Sequence, residues 1–211
     1  MSFAVHRGLQ RVLMGVLAAT IAGVMLAFAY QSWKASEQRG LVQLDRFNAV
    51  PEFSFTDQEG TTITSADLKG KIWVADFIST RGTGLFAAMS GRFAELDRNF
   101  QKSDRLKLVS FTVDPETDTI AVLKQYARGY EASDRWYFLT GEKDKLNAMA
   151  MSGFQLANQD PKSVSGNDIR STKFALVDAD GIIRAYYDGM SPEVVQKLLT
   201  DIGSLLRRGG R

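Results

Sequence analysis

The segment that most constrains the fold is residues 72–78, I-W-V-A-D-F-I, an almost wholly apolar run of strand length. A strand of this composition is expected inside a sheet that is covered on both faces. After a short turn, apolar residues recur every three or four positions, at Leu85, Met89, Phe93, Leu96 and Phe100. This spacing predicts an amphipathic helix, with Thr83 as its N-cap. A buried strand that leads directly into a helix is typical of a layered α/β sheet.

The rest of the chain continues this alternation of strands and helices. The predicted elements are a hairpin at 53–64, a strand at 106–113, a helix at 117–130, a strand at 136–139, a helix at 143–151, a hairpin at 173–187 and a terminal helix after Pro192. We therefore expect an α/β fold with a central mixed β-sheet flanked by helices. The final hairpin and helix form the second half of a thioredoxin-like arrangement.

The N-terminal region differs from the rest in composition. No charged residue occurs from Val12 to Tyr30, a length just sufficient for one transmembrane helix. The very short preceding tail favours a cytoplasmic N-terminus, although basic residues flank the stretch on both sides. A cleaved signal peptide is the alternative, because Ala27-Phe28-Ala29 fits the small-x-small cleavage pattern. We expect a tail and anchor at 1–31, a stalk at 32–47 and a globular domain at 48–208.

Charge and residue types exclude several classes of function. The net charge is only +2 and is spread along the chain, which gives no footprint for nucleic acid. The chain has no cysteine, and its one histidine is His6, ahead of the apolar stretch. A thiol peroxidase or a disulfide reductase is therefore excluded, because both need a thiolate nucleophile. We expect no enzyme activity and no small-molecule substrate.

Several segments, in order, resemble the Sco/SenC family over roughly residues 48–203. They are P-E-F-S-F at 51–55, D-L-K-G-K-I-W-V-A-D-F at 67–77, M-S at 89–90, R-F-A-E-L at 92–96, S-F-T-V-D-P-E-T-D at 110–118, W-Y-F-L-T-G at 136–141, S-T-K-F-A-L-V-D at 171–178 and R-A-Y-Y-D-G at 184–189. The resemblance implies a membrane-tethered thioredoxin-like fold that binds copper and helps to assemble the copper site of cytochrome c oxidase. It also implies a globular domain in the periplasm, or alternatively in the mitochondrial intermembrane space.

The family's copper ligands are two cysteines four residues apart at the start of the first helix, and a later histidine. The corresponding positions in this chain are Gly82, Phe86 and Arg170. Glycine has no side chain, phenylalanine has no donor atom, and a guanidinium repels a cation. We therefore expect no cofactor and no metal in the family manner, although the resemblance implies copper.

Two other uses of the region around the lost ligands remain open from the sequence. Arg81, Phe86 and Arg170 could form a partner-docking surface with Phe86 as an exposed apolar anchor, since arginine and aromatic residues are enriched at binding hot spots. Alternatively, Phe86 fills the space that the lost site leaves.

Replacement metal ligands are the second open question. Met149 and Met151, with Met89 nearby, could offer thioethers to Cu(I), or they could fill gaps in the core. Asp114, Glu116 and Asp118 could bind a hard cation, or Thr117 or Asp118 could cap the next helix.

The sequence favours a single-pass inner-membrane protein with a periplasmic domain that is not catalytic. We expect it to act by binding proteins, such as oxidase subunits or assembly factors, in cytochrome c oxidase assembly or a related envelope process. The alternative is a copper chaperone that holds the metal through methionine or carboxylate ligands.

Overall fold

The computed structural model describes residues 23–27, 30–31, 44–82, 84–100, 103–156, 164–165, 168–169 and 171–208. The chain divides into two compact units, residues 1–43 and 44–211. The described residues of the first unit are helical. Across the part of the chain that is described, no helix combines the length and the apolar character needed to cross a membrane. The span predicted from Val12 to Tyr30 lies largely outside the described residues and stays a prediction.

The second unit is built on β-strands that fall into three sheets. Its described strands are β1 (Ser54–Thr56), β2 (Thr62–Thr64), β3 (Ile72–Ile78), β4 (Leu106–Thr112), β5 (Trp136–Leu139), β6 (Val164–Ser165), β7 (Asp168–Ile169), β8 (Lys173–Val177) and β9 (Ile183–Asp188). Five of them form the central sheet in the order β5-β4-β3-β8-β9. β3, β4 and β5 are parallel to one another. β8 pairs antiparallel with β3 on one side and with β9 on the other. The mixed sheet predicted from the sequence is confirmed.

Helices cover both faces of this sheet. They are α1 (Leu85–Asn99), α2 (Ile120–Gly129), α3 (Lys143–Ala148), which continues as a π-helical turn (Met149–Gly153), and α4 (Val194–Arg208). A 3₁₀ turn, Ser65–Leu68, joins β2 to β3. Strand side chains alternate between the two faces, so β3 contributes to both halves of the core.

One half of the core, which we call the α1 face, lies between the sheet and α1, α2 and α4. Ile72, Val74 and Ile78 of β3 point into it and meet Met89 and Phe93 of α1. The other half, the α3 face, lies between the sheet and the β1–β2 hairpin, α3 and the π turn. Its buried side chains include Trp73, Ala75 and Phe77 of β3, Phe111 of β4, and Phe53, Phe55, Met149 and Phe154 from the covering elements.

The helix starts correct two of the predicted caps. Gly84, not Thr83, is the N-cap of α1, and it has a positive φ of 70° that favours glycine. Thr83 lies outside the described residues. The cap of α2 is Thr119, whose hydroxyl accepts from Val122 N at 3.4 Å, rather than Thr117 or Asp118. The pair β6–β7 and the π turn were not predicted from the sequence.

Candidate functional site

The candidate site lies where β3 ends and α1 begins. Functional groups often collect at the carboxyl ends of parallel strands, because successive strands deliver their following loops to the same edge. The loop after β3 turns at Gly82, whose N–H donates to Ser79 O at 3.0 Å. The next strand, β4, delivers Asp114 to the same edge, since Ile78 and Thr112 are register partners.

Gly82 and Phe86 are in direct contact. A Cβ atom on Gly82 would lie 2.1 Å from Cδ2 of the Phe86 ring and 2.9 Å from its Cγ. The ring therefore occupies the volume that any side chain at residue 82 would need. Phe86 itself is only 8% exposed and belongs to the core of the α1 face.

This burial decides between the two interpretations of Phe86. The prediction that Phe86 forms an exposed anchor for a partner is wrong, because its ring is packed against Gly82 and the core. The structure instead supports the interpretation that Phe86 fills the space at the lost site. Arg170, the third residue of the predicted docking surface, lies outside the described residues.

Arg81 is exposed, and its charge is paired. Its Nη2 donates to Asp114 Oδ2 at 2.7 Å, and this hydrogen bond holds the pKa of the Asp114 carboxyl below its usual range. The Asp114 N–H donates to Thr112 Oγ1 at 2.9 Å, which fixes the turn after β4. The ion pair therefore bridges the two loops at this edge of the sheet.

The three carboxylates considered as a cation site have separate partners. Asp114 pairs with Arg81, and Glu116 lies 3.4 Å from Lys143 Nζ. Asp118 is buried and accepts hydrogen bonds from the hydroxyls of Thr80 and Thr112. Within the described residues, no group of three or more histidine, aspartate or glutamate side chains could hold a metal ion. The Asp118 carboxylate instead joins the loop after β3 to the end of β4.

The methionines do not converge on a metal site. Met89 is buried in the core of the α1 face, whereas Met149 is buried on the opposite side of the sheet, in the α3 face. The Met149 sulfur packs beside Gly153, where a Cβ would lie 2.7 Å away. Met151, in the π turn, is half-buried. The placement of Met89 and Met149 matches the alternative of core packing.

A functional candidate that the sequence reasoning did not single out is Asp76. Its side chain is fully buried on β3, and burial raises the pKa of its carboxyl to about 7. The signal was present in the sequence, because Asp76 is the one polar residue in the apolar run 72–78. Strongly perturbed buried carboxyls are enriched at functional sites.

The fold and this site define a class of protein, namely a thioredoxin-like domain whose position for reactive thiols is filled by an aromatic ring. The SCO1/SenC family model matches residues 42–206. The chain belongs to this family. The copper ligands of the family do not fit the residues present, since Gly82 and Phe86 offer no donor atom.

Individual relatives agree with this assignment. The SCO1 protein homolog of Bacillus subtilis (strain 168) is 31% identical over 160 residues, which cover 74% of this chain and 81% of that protein. The solved SCO1/SenC family lipoprotein from Bacillus anthracis str. Ames is 29% identical with a TM-score of 0.65, covering 78% of this chain and 96% of its own.

The solved structure of BsSco, a member of the Sco family of cytochrome c oxidase assembly proteins, is also similar. It is 29% identical with a TM-score of 0.66, covering 77% of this chain and 96% of its own. A disulfide switch has been identified in BsSco. This chain cannot form such a switch, because it has no cysteine.

Proposed function

We propose that this protein is a Sco family member that does not hold copper in the family manner and acts by binding other proteins during cytochrome c oxidase assembly. The proposal includes an N-terminal membrane anchor, a cytoplasmic N-terminus and a globular domain in the periplasm. It assigns no catalytic step to the chain. The single observation that carries it is the contact between Phe86 and Gly82.

That contact bears on copper binding because Gly82 and Phe86 occupy the positions of the two cysteine ligands of the family. Family members bind copper, and Cu(I) favours soft thiolate ligands. Here one position has no side chain, and the other contributes a buried hydrocarbon ring that occupies the space of the first. The Arg170 guanidinium, at the third position, would repel a cation and does not deprotonate. A site with none of its ligands cannot be rescued by small movements of the loop.

The proposed anchor rests on the sequence of the first unit. The stretch from Val12 to Tyr30 carries no charge. The described helical residues within it include Val24, Met25 and Leu26, all of them largely exposed. Exposed apolar side chains on a helix are favourable in lipid and costly in water, which supports a membrane location for this segment.

The alternative, a metal carrier with methionine or carboxylate ligands, has less support. Met89 and Met149 lie on opposite faces of the sheet, and the carboxylates of Asp114 and Asp118 are engaged by other side chains. A protein-binding role remains available to the exposed Arg81 at the edge of the sheet, with Phe86 no longer part of that surface.

The test combines rescue of oxidase assembly with co-purification. Cells that lack the protein should lose cytochrome c oxidase activity, and both the wild type and a Met149→Leu/Met151→Leu variant should restore it. Rescue by the wild type but not by this variant, at equal protein levels, would favour the metal carrier. No loss of oxidase activity on deletion would contradict the proposed role in assembly.

Co-purification from membranes tests the binding surface directly. We expect oxidase subunits or assembly factors to be recovered with the full chain, and Arg81→Ala to reduce their yield. Arg128→Ala is the matched control, because Arg128 is an exposed arginine on α2. Equal loss in both variants would show that general charge, rather than the site edge, governs the interaction.

A further inference from the structure

Asp76 is a carboxylic acid placed in the middle of an apolar core. It lies on β3 between Val74 and Ile78, which point into the α1 face, and its side chain is fully buried. The strands on either side contribute Ser110 from β4, its register partner, and Phe174 from β8 on the same face. The neighbouring strands therefore surround this carboxyl with hydrocarbon and the Ser110 hydroxyl.

Neither carboxyl oxygen of Asp76 has a hydrogen-bond partner among the described residues. The Ser110 hydroxyl is close enough to oppose the rise in the pKa of Asp76, but it lies outside hydrogen-bonding geometry. Ser110 Oγ already accepts from Trp136 Nε1 at 2.9 Å. A buried charge without a partner is strongly disfavoured, so the neutral acid is the form that this core accepts.

Among the residues that the structure describes, no positive charge acts on Asp76. Several titratable or charged side chains of the elements around this face are buried or half-buried. They are Tyr126, Tyr130, Tyr187 paired with Asp201, Asp97 paired with Arg135, and Arg92, which donates to Gly189 O. Each of the two arginines has its own partner. Burial raises the pKa of Tyr126, and the nearby Asp76 carboxyl adds to that rise.

Tyr126 connects this buried region with a surface pocket. Its hydroxyl lies 2.9 Å from the buried Ser90 Oγ, in a partly buried contact between α2 and α1. The same tyrosine lines a pocket of about 560 Å³, together with Thr80, Val122 and Gln125. Tyr126 therefore reaches from solvent to the face of the sheet that holds Asp76.

We propose that Asp76 is a proton-binding site that makes the packing of α1 and α2 on the sheet depend on pH. The folded protein holds the neutral acid, and the O–H bond of the acid breaks when its proton passes to water. The resulting carboxylate needs donors, which the Ser110 hydroxyl, the Tyr126 hydroxyl and water entering at the pocket can supply. A Tyr126 hydroxyl that turns to the carboxylate, or water that enters beside it, weakens the Ser90–Tyr126 contact between α1 and α2. This inference does not depend on the proposed function.

The direction of the effect follows from proton linkage. The pKa of Asp76 is about 7 in the folded protein, against about 3.9 for an unfolded aspartate. A folded state that holds a proton more tightly than the unfolded state loses stability as pH rises. The contribution of Asp76 should therefore raise the unfolding equilibrium constant by about tenfold per pH unit between about pH 4 and pH 7, and then level off.

The first test is a carboxyl carbon NMR titration of the full chain in detergent, labelled at aspartate. We expect one resonance to titrate near pH 7 and to be absent from Asp76→Asn. Asp134→Asn, which removes an exposed carboxyl, should leave that resonance in place. Should every aspartate titrate below about pH 5, the proposal is overturned, since ordinary values lie near 4.

The second test takes its main readout from the wild type, in case Asp76→Asn does not fold. Hydrogen exchange of the full chain, corrected for the intrinsic effect of pH, should show protection in α1 and α2 falling about tenfold between pH 6 and pH 8. Asp76→Leu, which suits the apolar surroundings, should abolish that fall. Unchanged protection in the wild type across this range would overturn the proposed coupling.

Discussion

At the scale of single residues, the contact between Phe86 and Gly82 determines which side chains are available at this edge of the sheet. The ring fills the volume beside Gly82, so that the two positions depend on each other. An aromatic ring that is packed in this way belongs to the core and is not exposed to a partner protein. The volume beside Gly82 is thus filled by close packing rather than left as an empty cavity.

We expect Gly82→Ala to destabilise the protein by about 1–3 kcal/mol, because the added methyl overlaps the Phe86 ring. In a Phe86→Ala background the same change should cost less than about 0.5 kcal/mol, since the ring is gone. Urea unfolding of the four variants in detergent measures this coupling. Gly91→Ala is the control, because nothing lies near its Cβ position in α1, and it should stabilise the helix. Equal costs of Gly82→Ala in both backgrounds would contradict the packing described.

Some features of Gly82, Phe86 and Asp76 could be predicted from the sequence, and others could not. The positions of Gly82 and Phe86 followed from the resemblance, but the burial of Phe86 did not. A single apolar residue at the start of a helix can either pack in the core or contact a partner protein. Which of the two occurs depends on the path of the preceding loop. Asp76 stood in the sequence as one acid among apolar neighbours, but its lack of a partner depends on side chains from β4, α1 and α2.

At the scale of elements, the Gln58 side chain binds the free backbone groups of the edge strand β5. The Gln58 amide donates to Trp136 O at 2.9 Å and accepts from Phe138 N at 2.8 Å, in the manner of a neighbouring strand. Thr56 and Thr140 continue this pairing through two backbone hydrogen bonds. The β1–β2 hairpin therefore protects an edge that would otherwise be open to other chains.

We expect Gln58→Ala to lower the free energy of unfolding by about 1–3 kcal/mol, because two hydrogen bonds are lost and the β5 edge is exposed. Gln125→Ala, at an exposed position on α2, should change stability by less than about 0.5 kcal/mol. Urea unfolding with light scattering reports both stability and association of the exposed edge. If Gln58→Ala lowers the free energy of unfolding no more than the control does, the Gln58 amide does not stabilise the β5 edge.

A second link between elements is the buried ion pair of Asp97 and Arg135. It joins the end of α1 to the residue before β5, with Nη2 of Arg135 3.0 Å from Oδ1 of Asp97 and the Ser133 hydroxyl donating to the same oxygen at 2.7 Å. Arg135→Ala leaves a buried carboxylate with fewer donors, at a cost of about 3–5 kcal/mol. Arg98→Ala removes an exposed arginine from the same helix and should cost less than about 1 kcal/mol. Similar midpoints for the two variants in urea unfolding would contradict this role.

Most elements could be predicted because their patterns are strong. The strands at 72–78 and 136–139 match the prediction residue for residue, since each is a short apolar run with clear ends. The cap of α2 was misplaced because the run T-D-T at 117–119 offers three consecutive residues that can cap a helix. The strands β6 and β7 have only two residues each, too few to produce a periodic pattern.

At the scale of the whole molecule, the chain keeps the fold of the SCO1/SenC family without the residues that give the family its metal chemistry. The family match over residues 42–206 includes both faces of the core and the loop that carries Gly82. A fold supports many functions, and the function depends on the site that it carries. Here Gly82 and Phe86 offer no donor atom for copper, which is the ground for the protein-binding role that we propose.

The most direct measurement is a Cu(I) competition titration of the full chain in detergent against a chromophoric chelator. A Gly82→Cys/Phe86→Cys/Arg170→His variant is the positive control, because it returns the family's ligand types to their positions. We expect stoichiometric copper binding by that variant and none by the wild type. One tightly bound copper ion in the wild type would contradict the proposal that the protein does not hold copper in the family manner, and would require ligands other than Gly82, Phe86 and Arg170.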